Sequence, residues 1–389
     1  MPKREWSTTG VANGTTTRLL CSCGLAIGLG IVVSVDVSCS TSESSTDTAA
    51  RAGDAGDRVA APLPPFTLEV FDRVRIGSKS EEPNFHKAAA EIDISKGPFA
   101  HAELIVDLTS TCFPFEQWKS EPPPAGQNWP ASCDAFDRNF EVALIDPAAN
   151  DGPAIEVIRA ITPFGGPLHI ERDVTDILNA LHGKRRLEVT IPSYSDVEGK
   201  VSGSNGGWNV GARIELTPGT PPRNVLAVVP LVYDDKTLGA TPRTFDFTLP
   251  AGTRHSRVEY LATGHGGGAV EQEVCLGPAD EFCKRRHTLS ADGVPFVSGE
   301  ELWRTDCKAL CTMTKGGPFG SYCLENPCGA PASVQAPRAN WCPGSETPPL
   351  VFEPEQLAVP GEHAIDILVN KVSADGRWEI SAKVIAYGD

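Results

Sequence analysis

Short runs alternating apolar and polar residues recur through most of the chain. Phe66-Thr67-Leu68-Glu69-Val70-Phe71 opens the pattern. The same period-two spacing predicts strands over 90–94, 102–108, 140–145, 155–161, 187–191 and 210–216. A short helix is expected over 173–181, with Asp173 or Thr175 as its cap and Gly183 just beyond its end. Thr217-Pro218-Gly219-Thr220-Pro221-Pro222 then interrupts any strand. Alternation resumes over 225–232, 244–249, 258–263, 350–352, 364–369 and 378–386. No repeat of fixed period is visible. The pattern predicts an all-β protein built as two antiparallel β-sandwiches of comparable size.

The amino-terminal stretch breaks this pattern. Lys3, Arg4 and Arg18 precede an apolar run over 19–35, short and glycine-rich. It reads as a signal peptide over 1–39, with an uncleaved anchor as the alternative. Asp36-Val37-Ser38-Cys39 resembles a bacterial lipoprotein cleavage site, though Asp36 fits poorly there. Residues 40–62, rich in Ser, Thr, Asp and Ala without periodicity, read as a tether. The expected organisation is a first domain over 63–218, a linker over 219–224 and a second domain over 225–389.

Composition narrows the function. A formal net charge of -16 would repel phosphate, which argues against a nucleic-acid partner. The 12 cysteines point to an oxidising compartment or to metal binding, and no paired Cys-x-x-Cys set with His favours zinc. Removing Cys21, Cys23 and Cys39 with the leader leaves an odd number, so one thiol is free, pairs between chains, or the leader is cleaved at a different point. The loop 303–343 has little apolar periodicity and carries Cys307, Cys311, Cys323, Cys328 and Cys342, so cysteines are expected to staple it.

The candidate chemistry sits in Cys133-Asp134-Ala135-Phe136-Asp137-Arg138, directly ahead of the predicted strand 140–145. By parity Asp137 faces away from Phe140, Val142 and Leu144. Taken alone, Asp137 and Arg138 read as an ion pair in a disulfide-anchored turn. A second acidic stretch, Asp280-Glu281-Phe282-Cys283 with His287, repeats the theme downstream.

Together these motifs resemble the peptide-N-glycosidase F family, whose Cys-Asp-Glu-Trp-Asp-Arg motif is similar to residues 133–138. The family's Ala-Glu-Trp-Cys stretch resembles Asp280-Glu281-Phe282-Cys283, and its Arg-Ala-Gly-Trp-Cys-Pro-Gly segment resembles Arg338-Ala339-Asn340-Trp341-Cys342-Pro343-Gly344. Val70-Phe71-Asp72-Arg73-Val74, Ile161-Thr162-Pro163, Asp173-Val174-Thr175-Asp176, Ala227-Val228-Val229-Pro230 and Gly264-His265 follow in the family's order.

The resemblance implies two side-by-side eight-stranded jelly-roll β-sandwich domains, the paired architecture also found in the copper type II ascorbate-dependent monooxygenase-like fold. It implies an exported, monomeric amidase, secreted, periplasmic or lipid-anchored. Such an enzyme cleaves the bond between asparagine and an N-linked glycan on glycoproteins or glycopeptides, with no cofactor and no metal. It would meet a membrane only through its amino-terminal lipid or anchor. Asp137 and Glu281 take the catalytic roles by this resemblance. Arg138, Arg338, Phe136, Tyr194 and Trp341 take substrate-binding roles, and the expected disulfides are Cys112–Cys133, Cys275–Cys283 and Cys307–Cys342. His265 and His287 read as structural histidines rather than bases.

Three residues depart from the family pattern. Pro192 stands where the family has a further glutamate, with Asp196 and Glu198 nearby; Phe136 replaces a tryptophan; and Thr263 falls where an aromatic is expected. The alternative they suggest is a non-catalytic surface lipoprotein that binds glycans or partners on the same fold. A copper-dependent peptide monooxygenase is set aside, because the eight histidines include no His-His or His-x-His and only Met1 and Met313 are present.

Overall fold

The computed structural model describes residues 63–147, 152–193, 205–235, 241–267, 275–277, 279–318, 320–372 and 375–389. The expected leader and tether, and the loop residues Tyr194, Asp196 and Glu198, lie outside the described residues. No helix among the described residues is long and apolar enough to cross a membrane.

The first half forms β1 (Phe66–Gly77), β2 (Lys87–Asp93), β3 (Phe99–Thr109), β4 (Asn139–Ile145), β5 (Ile155–Ile161), β6 (Leu168–Asp173), the helix α1 (Thr175–Ala180), β7 (Lys184–Thr190) and β8 (Gly207–Pro218). The second forms β9 (Val225–Asp235), β10 (Arg243–Leu249), β11 (His255–Gly266), β12 (Arg286–Ala291), β13 (Val294–Glu301), β14 (Met313–Lys315), β15 (Ser321–Cys323), β16 (Ser345–Glu346), β17 (Leu350–Phe352), β18 (Gly361–Val369) and β19 (Gly376–Tyr387). Sheet order is β1-β8-β3-β6 over β16-β5-β4-β7-β2 in the first half, and β17-β11-β19-β9 over β10-β18-β12-β13 in the second. Apart from β16, each half thus contributes eight strands to two facing sheets, as expected for paired sandwiches. β14 and β15 form a separate hairpin.

Alternation sets the packing. Phe140, Val142 and Leu144 point into a core with Phe99, Leu104 and Trp208, while Val258, Tyr260, Ile365, Ile367 and Trp378 build the second. Each such buried apolar side chain contributes about 1.5–3 kcal/mol. Some strands do not alternate in exposure, β5 and β19 most fully: every residue of β5 is buried, and nearly every residue of β19. One face of each meets its own core, and the other is covered by the opposite half. Buried polar groups on those faces are paired within the strand and across the junction. The Arg159 guanidinium donates to both Glu156 oxygens at 2.7 Å, to the Glu379 carbonyl and to Ser381. Lys383 reaches the Glu156 carbonyl at 2.9 Å.

The strand pair β12–β13 is absent from the alternation pattern although Asp292-Gly293, the turn between them, is a strong hairpin signal. Both residues take positive φ, 50° and 78°. The helix starts at Thr175 with Val174 as its uncapped boundary residue, but the Asp173 carboxylate accepts the Thr175 N–H at 2.8 Å from one position earlier.

Cys112–Cys133, Cys275–Cys283, Cys307–Cys342 and Cys311–Cys323 are bonded, and Cys328 is a buried free thiol. Cys307–Cys342 closes a span of 35 residues with little apolar core of its own. Replacing both with Ala is expected to remove about 4 kcal/mol of stability by the loop-closure relation, read as a lower urea midpoint.

Candidate active site

Asp137 lies in the loop that leads into β4, and Thr162 fixes that loop. The Thr162 hydroxyl donates to the Phe136 carbonyl at 3.0 Å and accepts the Arg138 N–H at 2.9 Å, while the Thr162 N–H bonds the Arg138 carbonyl at 2.7 Å. Asp137 therefore sits between two clamped residues, with the Cys112–Cys133 bond a few residues upstream. Parity aimed it away from the first core. That face is covered by the second half of the chain rather than by solvent alone.

The covering residues come from two segments with no strand pattern. The first is the turn inside the Cys275–Cys283 loop, where a fully buried Asp280–Arg285 ion pair at 2.5 Å anchors Glu281. The second is 338–341, held as an extended piece between neighbours. The Arg338 N–H and carbonyl exchange bonds with Arg304, and Ala339 N–H bonds the Glu281 carbonyl at 2.8 Å. This segment packs so closely on β11 that a Cβ at Gly264 would lie 2.7 Å from the Ala339 Cβ and 2.8 Å from the Trp378 ring. Only glycine fits there.

Arg338 joins the two carboxylates. Its Nη1 donates to Glu281 at 3.0 Å, and its Nη2 lies 3.8 Å from Asp137 and donates to the Ser333 carbonyl and hydroxyl at 3.0 Å. The guanidinium lies over two rings, 4.7 Å from the Phe282 centroid and 4.4 Å from that of Trp341. Arg338 is 1% exposed, while the Asp137 and Glu281 side chains are 22% and 27% exposed. The arrangement is a buried cation under two carboxylates that reach solvent. Burial pushes the Asp137 carboxyl up to about 6; Arg338 pulls it down and Glu281 pushes it further up.

The structure brings Asp137, Glu281 and Arg338 together and places the other expected residues around them. Arg138 is paired with Asp134, at 3.2 Å from its Nε, and not with Asp137. The local ion pair read from the motif is therefore corrected. Asp134, four residues back across the turn, presents both oxygens to Arg138, whereas Asp137 turns toward the opposite half. The terminal nitrogens of Arg138 make no hydrogen bond among the described residues, and its guanidinium lies 4.8 Å from the half-buried Phe136 ring. Trp341 is 2% exposed, donates to the Gly264 carbonyl at 2.8 Å and stacks on His265. It lies beneath the site, as Arg338 does. Pro192, two residues past the end of β7, is exposed. His287 is fully buried against Tyr260 and Trp378, and burial lowers it to about 3, so it is neutral across ordinary pH.

Sequence reasoning missed the polar layer behind the site. Asn139, two residues from Asp137, donates to Glu379, and Tyr233 donates to Glu141 at 3.2 Å. Burial, with Glu156 adding, raises the Glu141 carboxyl well above its ordinary range. Glu156 and Arg159 inside an otherwise apolar strand were the available signal.

Residues 232–385 match the family profile described as Peptide-N-glycosidase F, C terminal. No curated protein sequence matches the chain. Among solved structures, PNGF-II is similar at a TM-score of 0.64 and 18% identity, over 84% of this chain and 65% of that one. The chain thus spans just under two thirds of PNGF-II. PNGase F from Flavobacterium meningosepticum, described as a glycosylasparaginase, is similar at a TM-score of 0.60 and 17% identity, over 84% of this chain and 96% of that one. A structure of peptide-N(4)-(N-acetyl-beta-D-glucosaminyl) asparagine amidase gives 0.61 and 17%, over 83% and 96%. At such identities the likeness is one of fold. The profile match over residues 232–385 and the shared fold over most of its length make the chain similar to the peptide-N-glycosidase F proteins.

Proposed function

We propose that the protein is an exported amidase that hydrolyses the bond between an asparagine side chain and an N-linked glycan. The observation that carries this reading is one buried guanidinium facing two half-open carboxylates, supplied by opposite halves of the chain. Hydrolysis needs a water deprotonated as it attacks the carboxamide carbon, and a proton delivered to the departing nitrogen. Asp137, with a carboxyl near 6, is matched to taking that proton at neutral pH and returning it as the C–N bond breaks. Glu281 holds the water or the substrate, and Arg338 fixes the geometry of both carboxylates. The free terminal nitrogens of Arg138 are suited to the developing oxyanion. The products are an aspartate in the peptide and a glycosylamine.

Pro192 and the buried state of Trp341 favour a second reading, a glycan-binding protein that has lost the reaction. Both are tested by incubating the folded, oxidised protein with a panel of N-linked glycopeptides and following Asn-to-Asp conversion by mass spectrometry. Conversion that disappears in Asp137→Asn supports the amidase. Absence of conversion across the panel, with glycan binding retained, supports the second reading. Under the first, kcat/KM is expected to rise with pH through about 6, as Asp137 ionises. A profile flat from about pH 4 to about pH 8, roughly two units on either side of that midpoint, removes Asp137 as the base.

A further inference from the structure

A second cleft, of about 260 Å³, is lined by none of the residues placed in the candidate active site. It opens where the two halves meet: Asp173 and Asp176 lie at the start of α1, Arg223 in the connection between halves, and Arg257 and Glu259 on β11. Pro348, Pro349 and Val351 close one side. Small-molecule sites span about 300–1,000 Å³, so this one suits a ligand of one or two rings rather than a folded partner.

Its charges balance. The lining holds three guanidiniums, of Arg172, Arg223 and Arg257, and three carboxylates, of Asp173, Asp176 and Glu259. A strongly charged ligand would therefore gain little net attraction and lose its hydration. The carboxylates are also unequal in what they leave open. Asp176, almost fully buried, takes Arg223 Nε at 2.8 Å and the Tyr387 hydroxyl at 2.7 Å. Glu259 takes Arg257 and Lys383, both at 2.8 Å.

Hydrogen-bonding capacity is left over on three walls. Arg257 Nε is buried without a partner among the described residues. The Arg223 side chain is 46% exposed and uses only Nε in its bonds to Asp176, so its terminal nitrogens are open. Asp173 is exposed and accepts the Thr175 N–H at 2.8 Å, and a carboxylate has lone pairs for further donors. Planar donor and acceptor edges of this kind match adjacent hydroxyls, which both donate and accept. The proline pair and Val351, 51% exposed, add an apolar strip for a ring's C–H face.

We infer that this cleft is a second, non-catalytic binding site for a neutral saccharide. The source of that saccharide, the glycan of a glycoprotein substrate, rests on the function proposed above. A second site would hold one arm of a branched glycan while its root is cleaved, raising the effective concentration of the scissile bond.

The test uses Asp137→Asn protein, in which turnover does not consume the ligand, and saturation-transfer NMR with neutral N-glycan oligosaccharides. Val351→Trp fills the cleft from its exposed edge without removing a charge, and Arg223→Ala removes an open donor. Both are expected to weaken saccharide binding by about tenfold or more. In the Asp137 background neither is expected to lower turnover of a short glycopeptide carrying a single sugar. Urea unfolding of each variant checks the fold, and Val351→Trp decides if Arg223→Ala proves unstable. The inference is overturned by no transfer to any neutral sugar, by binding unchanged in Val351→Trp, or by binding confined to sialylated sugars or to peptide. Turnover is measured separately, so sugar binding without conversion sinks the amidase reading alone, and conversion without cleft binding sinks this one alone.

Discussion

Asp137→Asn is expected to lower glycopeptide turnover by about 10²–10⁴-fold, the usual contribution of a positioned general base. The same variant is expected to keep or raise stability at pH 8, and this pairing of effects is what makes the test sharp. In the unfolded chain the carboxyl ionises near 3.8; in the folded protein burial raises it to about 6. Between those values the folded state holds the extra proton, so stability falls as pH rises through that window, and the ionised group is a net burden above it. Asn removes the charge at nearly the same size, and Arg338 keeps Glu281 as a partner. A structural aspartate would behave in the opposite way, losing stability on substitution with no special loss of chemistry. The check is a unfolding curve at pH 5 and pH 8 beside the turnover measurement. Turnover within about tenfold of the parent, well short of a lost general base, would remove Asp137 from the reaction.

Much of the fold could be read from the pattern of side chains, and particular elements show where that reading stopped. β8 and β18 emerged because one face of each meets a core and period-two alternation is strong. The observed strands run longer than the apolar runs: β11 extends over His255–Gly266, past the predicted 258–263, because hydrogen bonding to β19 continues beyond the core. β12 and β13 were missed because Arg286, His287, Glu300 and Glu301 dilute their apolar positions, even though Asp292-Gly293 marks their turn.

The site divides in the same manner. Asp137 and Glu281 could be picked out from motif and resemblance. Parity predicted that Asp137 leaves the first core, but not that the opposite half would meet it. Arg338 lies in the stapled loop, where alternation carries no information and position follows from cysteines and local backbone bonds. Its depth, and that of Trp341, therefore had no local signal. Neither did the switch of Arg138 from Asp137 to Asp134, a matter of turn geometry over four residues.

Arg338 gives the second large effect. Resemblance assigned it to the substrate; the geometry points to positioning, and the two roles separate experimentally. Arg338→Ala strands two carboxylates and the Ser333 carbonyl without their shared donor. Breaking a buried charge pair this way is expected to cost about 3–5 kcal/mol of stability. It also removes the influence that holds the Asp137 carboxyl down, so that group moves above about 6 and the rise in kcat/KM moves to higher pH. Arg338→Lys keeps the charge but not the planar fork or the stack between Phe282 and Trp341. It is expected to recover much of the stability while kcat stays low, because a flexible ammonium does not hold both carboxylates at fixed angles. A residue that only contacts the glycan would instead raise KM in both variants, leaving kcat and the pH midpoint in place. Measuring kcat, KM and the midpoint for the Lys variant therefore decides the matter: a lowered kcat with a shifted midpoint assigns Arg338 to the carboxylates, and a raised KM alone returns it to the sugar.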